Sequence, residues 1–261
     1  MFVSRHMVRG SIRCIPALLM VMELFISTGC TPAYIQMDPG ELATLKGYPE
    51  ISVLTIKASD FVYFTAGDQA VGSIVSATLI GGGVGGLVTG EAMIKYSETR
   101  GQPMVAEYSL EDPILTVRDE FVAGITSRLE LSNMTIRENA VGDDELTKLR
   151  ETLGDSVLID LKTLEWGLFT APLRFSQYYV EYVARGRLVN LREHKILWQT
   201  KCAYRRSDRE SPSNWDELTA NSGKLMKEKL KEHAVACARA LLSNFLSEDA
   251  PHKLNKTRLP D

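Results

Sequence analysis

The first thirty residues decide how much of this chain is left to fold. Residues 1–13 carry Arg5, Arg9 and Arg13 and no acid, residues 14–26 (CIPALLMVMELFI) are almost wholly apolar, and Ser27-Thr28-Gly29-Cys30 follows. A basic start, a short apolar run and small residues before a cleavage point read as an export signal, with Met1 or Met7 as its start. The apolar run of 13 residues is too short for a membrane-spanning helix, which needs ~20. The segment also skews the charge. Three arginines against Glu23 give residues 1–29 a charge of +2, so the rest of a chain with net −3 carries −5. A mildly acidic body argues against nucleic acid as a partner.

Small residues ending in a cysteine at this place resemble the lipobox of bacterial lipoproteins. The resemblance implies cleavage between Gly29 and Cys30. It also implies a diacylglyceryl group on the Cys30 thiol and an acyl chain such as palmitate on the new amino terminus. Thr31 at the next position resembles the outer-membrane sorting signal, facing the periplasm. Several acyl chains, at ~0.8 kcal/mol per buried CH₂, would make such an anchor effectively permanent.

Beyond the signal peptide (1–29), residues 30–50 hold three Pro and two Gly without sustained periodicity and read as a lipidated tether. Residues 51–246 read as one domain and 247–261 as a polar tail. Within the domain, Ile51–Ile56 is a β-branched strand and Phe61–Phe64 continues or follows it. Asp112-Pro113 introduces a helix with Leu115, Phe121, Val122, Ile125 and Leu129 at helical spacing. Residues 132–137 form a short strand, and 143–152 a small helix closed by Gly154. Residues 156–168 open a run of strands. Residues 177–191 and 196–205 make an antiparallel hairpin about Arg192-Glu193-His194. Asn214 with Glu217 starts a long last helix, on which Met226, Leu230, Ala234, Cys237, Leu241 and Phe245 share one face. The fold class is therefore α+β or α/β: a mixed sheet ending in an antiparallel hairpin, packed by helices, with a Gly-rich helical insertion.

That insertion, residues 69–90, carries no charge at all. Gly82, Gly86 and Gly90 recur every four residues and would form a smooth helical stripe for close packing or self-association. Gly81, Gly83 and Gly86 also satisfy G-x-G-x-x-G, but five glycines in six residues produce that pattern easily. A packed or flexible Gly-rich hairpin is the plainer alternative.

With Cys14 in the signal and Cys30 acylated, Cys202 and Cys237 remain. Cys202 shares the even-numbered strand face with Ile196, Trp198 and Tyr204, while Cys237 lies mid-stripe on the last helix. An oxidising compartment would join them as a disulfide. Two buried thiols, or a metal site completed by His194 at a turn and His233 on the polar side of the last helix, are the alternatives.

No motif of a zinc protease, a nucleophile elbow or a phosphate-binding loop occurs. Asp143-Asp144 and Asp119-Glu120 read as helix-start or solvated carboxylates. Arg185 and Arg187 share one strand face, either solvated or meeting an acidic partner. Neither an enzyme nor a cofactor beyond the acyl groups of Cys30 is expected. The stretch RGRLVNLREHKILWQTKC followed by a long amphipathic helix is similar to small envelope lipoproteins that activate penicillin-binding proteins or form the curli secretion channel. This resemblance spans about residues 176–246. It implies a lipid-anchored accessory or assembly factor that binds an envelope protein. A homo-oligomeric structural or pore-forming subunit using the glycine stripe is the second reading, and a ligand-binding transport accessory the third.

Overall fold

The computed structural model describes residues 34–65, 99–138, 141–171, 173–204 and 211–246. They form a mixed α+β domain. The elements are α1 (Pro39–Thr44), β1 (Ile51–Ile56), β2 (Val62–Phe64), α2 (described over 99–108), α3 (Ile114–Leu129) and β3 (Met134–Ile136). There follow α4 (Leu146–Leu153), β4 (Val157–Ala171), β5 (Arg174–Asn190), β6 (Lys195–Tyr204), β7 (Ser213–Asn214) and α5 (Trp215–Phe245). The sheet runs β3-β1-β4-β5-β6, with β2 paired to β4 and β7 to β5. β1 and β2 lie parallel to successive halves of the long β4, whereas β4, β5 and β6 form an antiparallel meander.

The β-branched and aromatic content of β1 and β4–β6 suits a sheet covered on both faces. One face carries the main core. There Val117, Phe121 and Ile125 of α3 and Met226, Leu230, Ala234, Cys237, Leu241 and Phe245 of α5 meet Ile159, Leu161, Tyr182, Leu188 and Trp198. The expected stripe of α5 is thus wholly buried. On α3 the inward face is Ile114, Val117, Phe121 and Ile125, so Leu115, at 47% exposure, falls outside it. The opposite face carries a smaller core in which Leu149 of α4 covers Leu54, Ile56, Leu158, Val189 and Leu191.

Four local expectations are corrected. Residues 34–50 are not a loose tether: Ile35 exchanges two backbone hydrogen bonds with Gln199 (2.8 and 2.9 Å), and Met37 and Leu45 are buried in the main core. α1 forms because Asp38 caps it through Gly40 N and Pro39 opens it. Ile196 does not share the face of Trp198 and Cys202. A bulge sets Val189 opposite Ile196 but Leu188 opposite Trp198, which turns Ile196 to the smaller core. The last helix is not continuous. Asn221, Ser222 and Gly223 take φ of 51°, 57° and 73°, a left-handed run that Asn and Gly tolerate best. His233, expected on the polar side, is buried and stacks on Tyr204 with ring centroids 5.3 Å apart.

The segment Phe61–Phe64 is held between two glycines. A Cβ on Gly167 would collide with the Val62 carbonyl, and one on Gly101 with the Phe61 carbonyl. Both obstacles are backbone, so neither can swing aside. Gly167→Ala is therefore expected to cost about 2–3 kcal/mol by forcing β2 off β4, visible as a lowered chemical-denaturation midpoint. An unchanged midpoint would show that this contact relaxes freely.

Candidate functional site

Strand periodicity puts Asp160 and Lys162 of β4, and Arg185 and Arg187 of β5, on one face of the sheet. Register brings them together, because Asp160 pairs with Arg187 and Lys162 with Arg185. Asp160 is fully buried and accepts hydrogen bonds from Arg187 Nε at 2.8 Å and Arg185 Nη2 at 3.0 Å. The loop before α4 adds Asp144. Its carboxylate receives Arg185 Nη1 at 2.8 Å and lies 3.3 Å from Lys162 Nζ, and its carbonyl accepts from Arg187 Nη2 at 2.8 Å. Arg185 thereby bridges both carboxylates. Burial pushes the Asp144 carboxyl up, but the Arg185 hydrogen bond and the charges of Arg185, Lys162 and Arg187 outweigh it and hold the group below its usual range.

The arginine pair is therefore not solvated strand charge. Its acidic partners are internal, and together they clamp the start of α4 over the smaller core. Asp143, beside it in the chain, lies before α4, whose N-cap Glu145 makes no side-chain cap bond: it accepts from Glu145 N at 3.0 Å and pairs with the exposed Lys148 at 2.6 Å. Asp119, itself exposed, pairs with the buried Arg118 beside it.

On the main-core face, Thr163 Oγ1 donates to Asp112 at 2.6 Å and lies 3.0 Å from the Tyr182 hydroxyl. Burial raises the Asp112 carboxyl above its ordinary range, against the Thr163 and Ile114 hydrogen bonds that lower it. Burial likewise raises the Tyr182 phenol. This row satisfies polar groups that would otherwise be stranded, and Asp112 also ties down the first turn of α3 through Ile114 N.

Cys202 and Cys237 are joined by a disulfide with Cα atoms 5.3 Å apart, linking β6 to α5 inside the main core. His194 occupies the β5–β6 turn with φ 53°. Among the described residues, no group of three or more His, Cys, Asp or Glu side chains is placed to hold a metal ion, and no helix is long and apolar enough to cross a membrane. Gly29, Cys30, Gly82, Gly86 and Gly90 lie outside the described residues. The sequence signal for the clamp was present as D-x-K and R-x-R at strand spacing. What sequence alone lacked was the register that sets one pair against the other.

Fold and site together define a mixed-sheet α+β domain with helices on both faces, a core disulfide and a buried ionic clamp. Among solved structures it is similar to a PelC dodecamer from Paraburkholderia phytofirmans (10% identity over 77% of this chain and 94% of that one, TM-score 0.30). It is also similar to the lipoprotein GNA1162 from Neisseria meningitidis (12% identity, 70% and 98% covered, TM-score 0.26) and to protein XCC0632 from Xanthomonas campestris (10% identity, 51% and 62% covered, TM-score 0.26). At these scores the likeness carries no argument about function. No family model and no curated protein matches the chain.

Proposed function

We propose that this protein is a lipid-anchored envelope lipoprotein whose domain acts by binding another envelope protein, as an accessory or assembly factor, and not by catalysis. The observation that carries the reading is the order of basic, apolar and small residues ending at Cys30. Independent support comes from the bridge between Cys202 and Cys237, a cross-link suited to an oxidising compartment outside the cytoplasm. A domain stiffened by a disulfide and by a buried ion cluster, whose carboxylates are engaged by Arg185, Arg187 and Lys162, suits a binding role. The second reading, a homo-oligomeric subunit, rests on the spacing of Gly82, Gly86 and Gly90.

The test is fractionation of cells expressing Cys30→Ser. The wild-type protein is expected in the membrane pellet, extractable by detergent but not by high salt or carbonate. The variant is expected to lose that pellet fraction or to accumulate with its signal uncut. A variant that is processed to the same size and still pellets, resisting carbonate, would overturn the lipid anchor.

A further inference from the structure

If Cys30 carries the lipid, the domain has little freedom in how it meets the membrane. Ile35 lies five positions after Cys30, and an extended chain covers at most ~3.6 Å per position, so the anchor enters the bilayer within roughly 18 Å of Ile35. Ile35 itself is fixed to the domain. It exchanges backbone hydrogen bonds with Gln199 on the outer edge of β6, and the Tyr34 hydroxyl beside it accepts from Asn244 Nδ2 at 3.2 Å. The short leash is therefore tied to the β6 edge of the sheet. The opposite edge is β3, four strands away, which at ~4.8 Å per strand places it about 19 Å further off.

The chemistry of the β6 edge matches that placement. Tyr34, at 47% exposure, and Tyr204, at 39%, are the exposed tyrosines among the described residues, and both lie along this edge. Tyr204 is five residues from Gln199, about 17 Å along the strand. Lys195 and Lys201, both exposed, belong to the same strand. Tyrosine rings settle at the headgroup level of a bilayer, and lysines extend their stems over apolar surface while their ammonium groups meet lipid phosphates.

We infer that the β6 edge, through Tyr34, Lys201 and Tyr204, rests on the headgroup layer of the membrane that holds the lipid, with the β3 edge turned to the aqueous side. The inference depends on the lipid-anchor reading and adds an orientation to it. Full-length protein purified from envelopes, with p-azidophenylalanine replacing Tyr34, Tyr204 or, as control, Thr135 on β3, is placed in vesicles of phosphatidylethanolamine and phosphatidylglycerol and irradiated. Positions 34 and 204 are expected to yield protein–lipid adducts by mass spectrometry, at least ten-fold above position 135. Protein that floats with the vesicles yet gives no adduct at 204, or as much at 135, would overturn the orientation while leaving the anchor standing. Protein that does not float would overturn the anchor and this inference with it.

Discussion

Replacing Cys202 and Cys237 together by alanine is expected to lower the unfolding free energy by roughly 4 kcal/mol, the chain-entropy cost of releasing a loop of this length. The two sulfurs close a segment with a sequence separation of 35. That segment includes the end of β6, β7 and the break in α5, so its unfolded ensemble gains much freedom when the bond is lost. Both residues are buried in the main core beside Trp198 and Phe245, and two alanines leave a small void that adds to the loss. The effect is read by thermal unfolding with and without reductant. Reductant should lower the wild-type midpoint towards that of the double variant and leave the variant unmoved. Equal wild-type midpoints in oxidising and reducing buffer would contradict the assigned bridge.

The second large effect belongs to Asp160→Ala. This substitution removes the buried carboxylate on which Arg187 and Arg185 converge, leaving two guanidinium groups with 7% and 14% side-chain exposure facing each other. Breaking one side of a buried ion cluster costs about 3–5 kcal/mol, because the remaining charge keeps its desolvation penalty and loses its compensation. Asp160→Leu combined with Arg187→Met should cost clearly less than the sum of the two single changes. Additivity in that double-mutant cycle would show that the pair does not act as a unit. Asp144 is more exposed and its loss should matter less. Its carboxyl is depressed in the folded protein, so its contribution is present at neutral pH, above the ordinary carboxylate range. It fades as pH falls below the ordinary carboxylate range and through the depressed folded value, loosening the start of α4.

Much of this architecture is legible in the sequence because local rules there agree with the final packing. The β5–β6 hairpin, the Asn214–Glu217 capping box and the apolar stripe from Met226 to Phe245 each follow from spacing and cap chemistry. Where tertiary partners decide, the sequence misleads. Residues 34–50 look like a linker because their Pro and Gly suppress periodicity, yet Met37 and Leu45 find the core only when Ile35 adds to β6. Ile196 is displaced by a bulge that no pattern of apolar residues announces. Leu115 fits a helical period but lies off the inward face of α3, which Ile114, Val117, Phe121 and Ile125 form.

The ionic clamp was half legible. Arg185 and Arg187 stand out as neighbours on one strand face, whereas Asp160 and Lys162 gain a role only once their partners are known. Strand pairing by Cα register, Asp160 against Arg187, comes from long-range order that one sequence does not specify. Asp144 was hidden differently: its place at a helix start gave it a sufficient local role, and its actual partners come from strands that follow it in the chain.

The proposed function requires a mature chain that begins at an acylated cysteine and folds in an oxidising compartment. Intact mass of the protein extracted from the envelope tests both at once. The predicted mass is that of residues 30–261 with a diacylglyceryl group and one further acyl chain, rising by two hydrogens when reductant opens the bridge. A mass that retains residues 1–29, or that shows Cys30 unmodified, would contradict it.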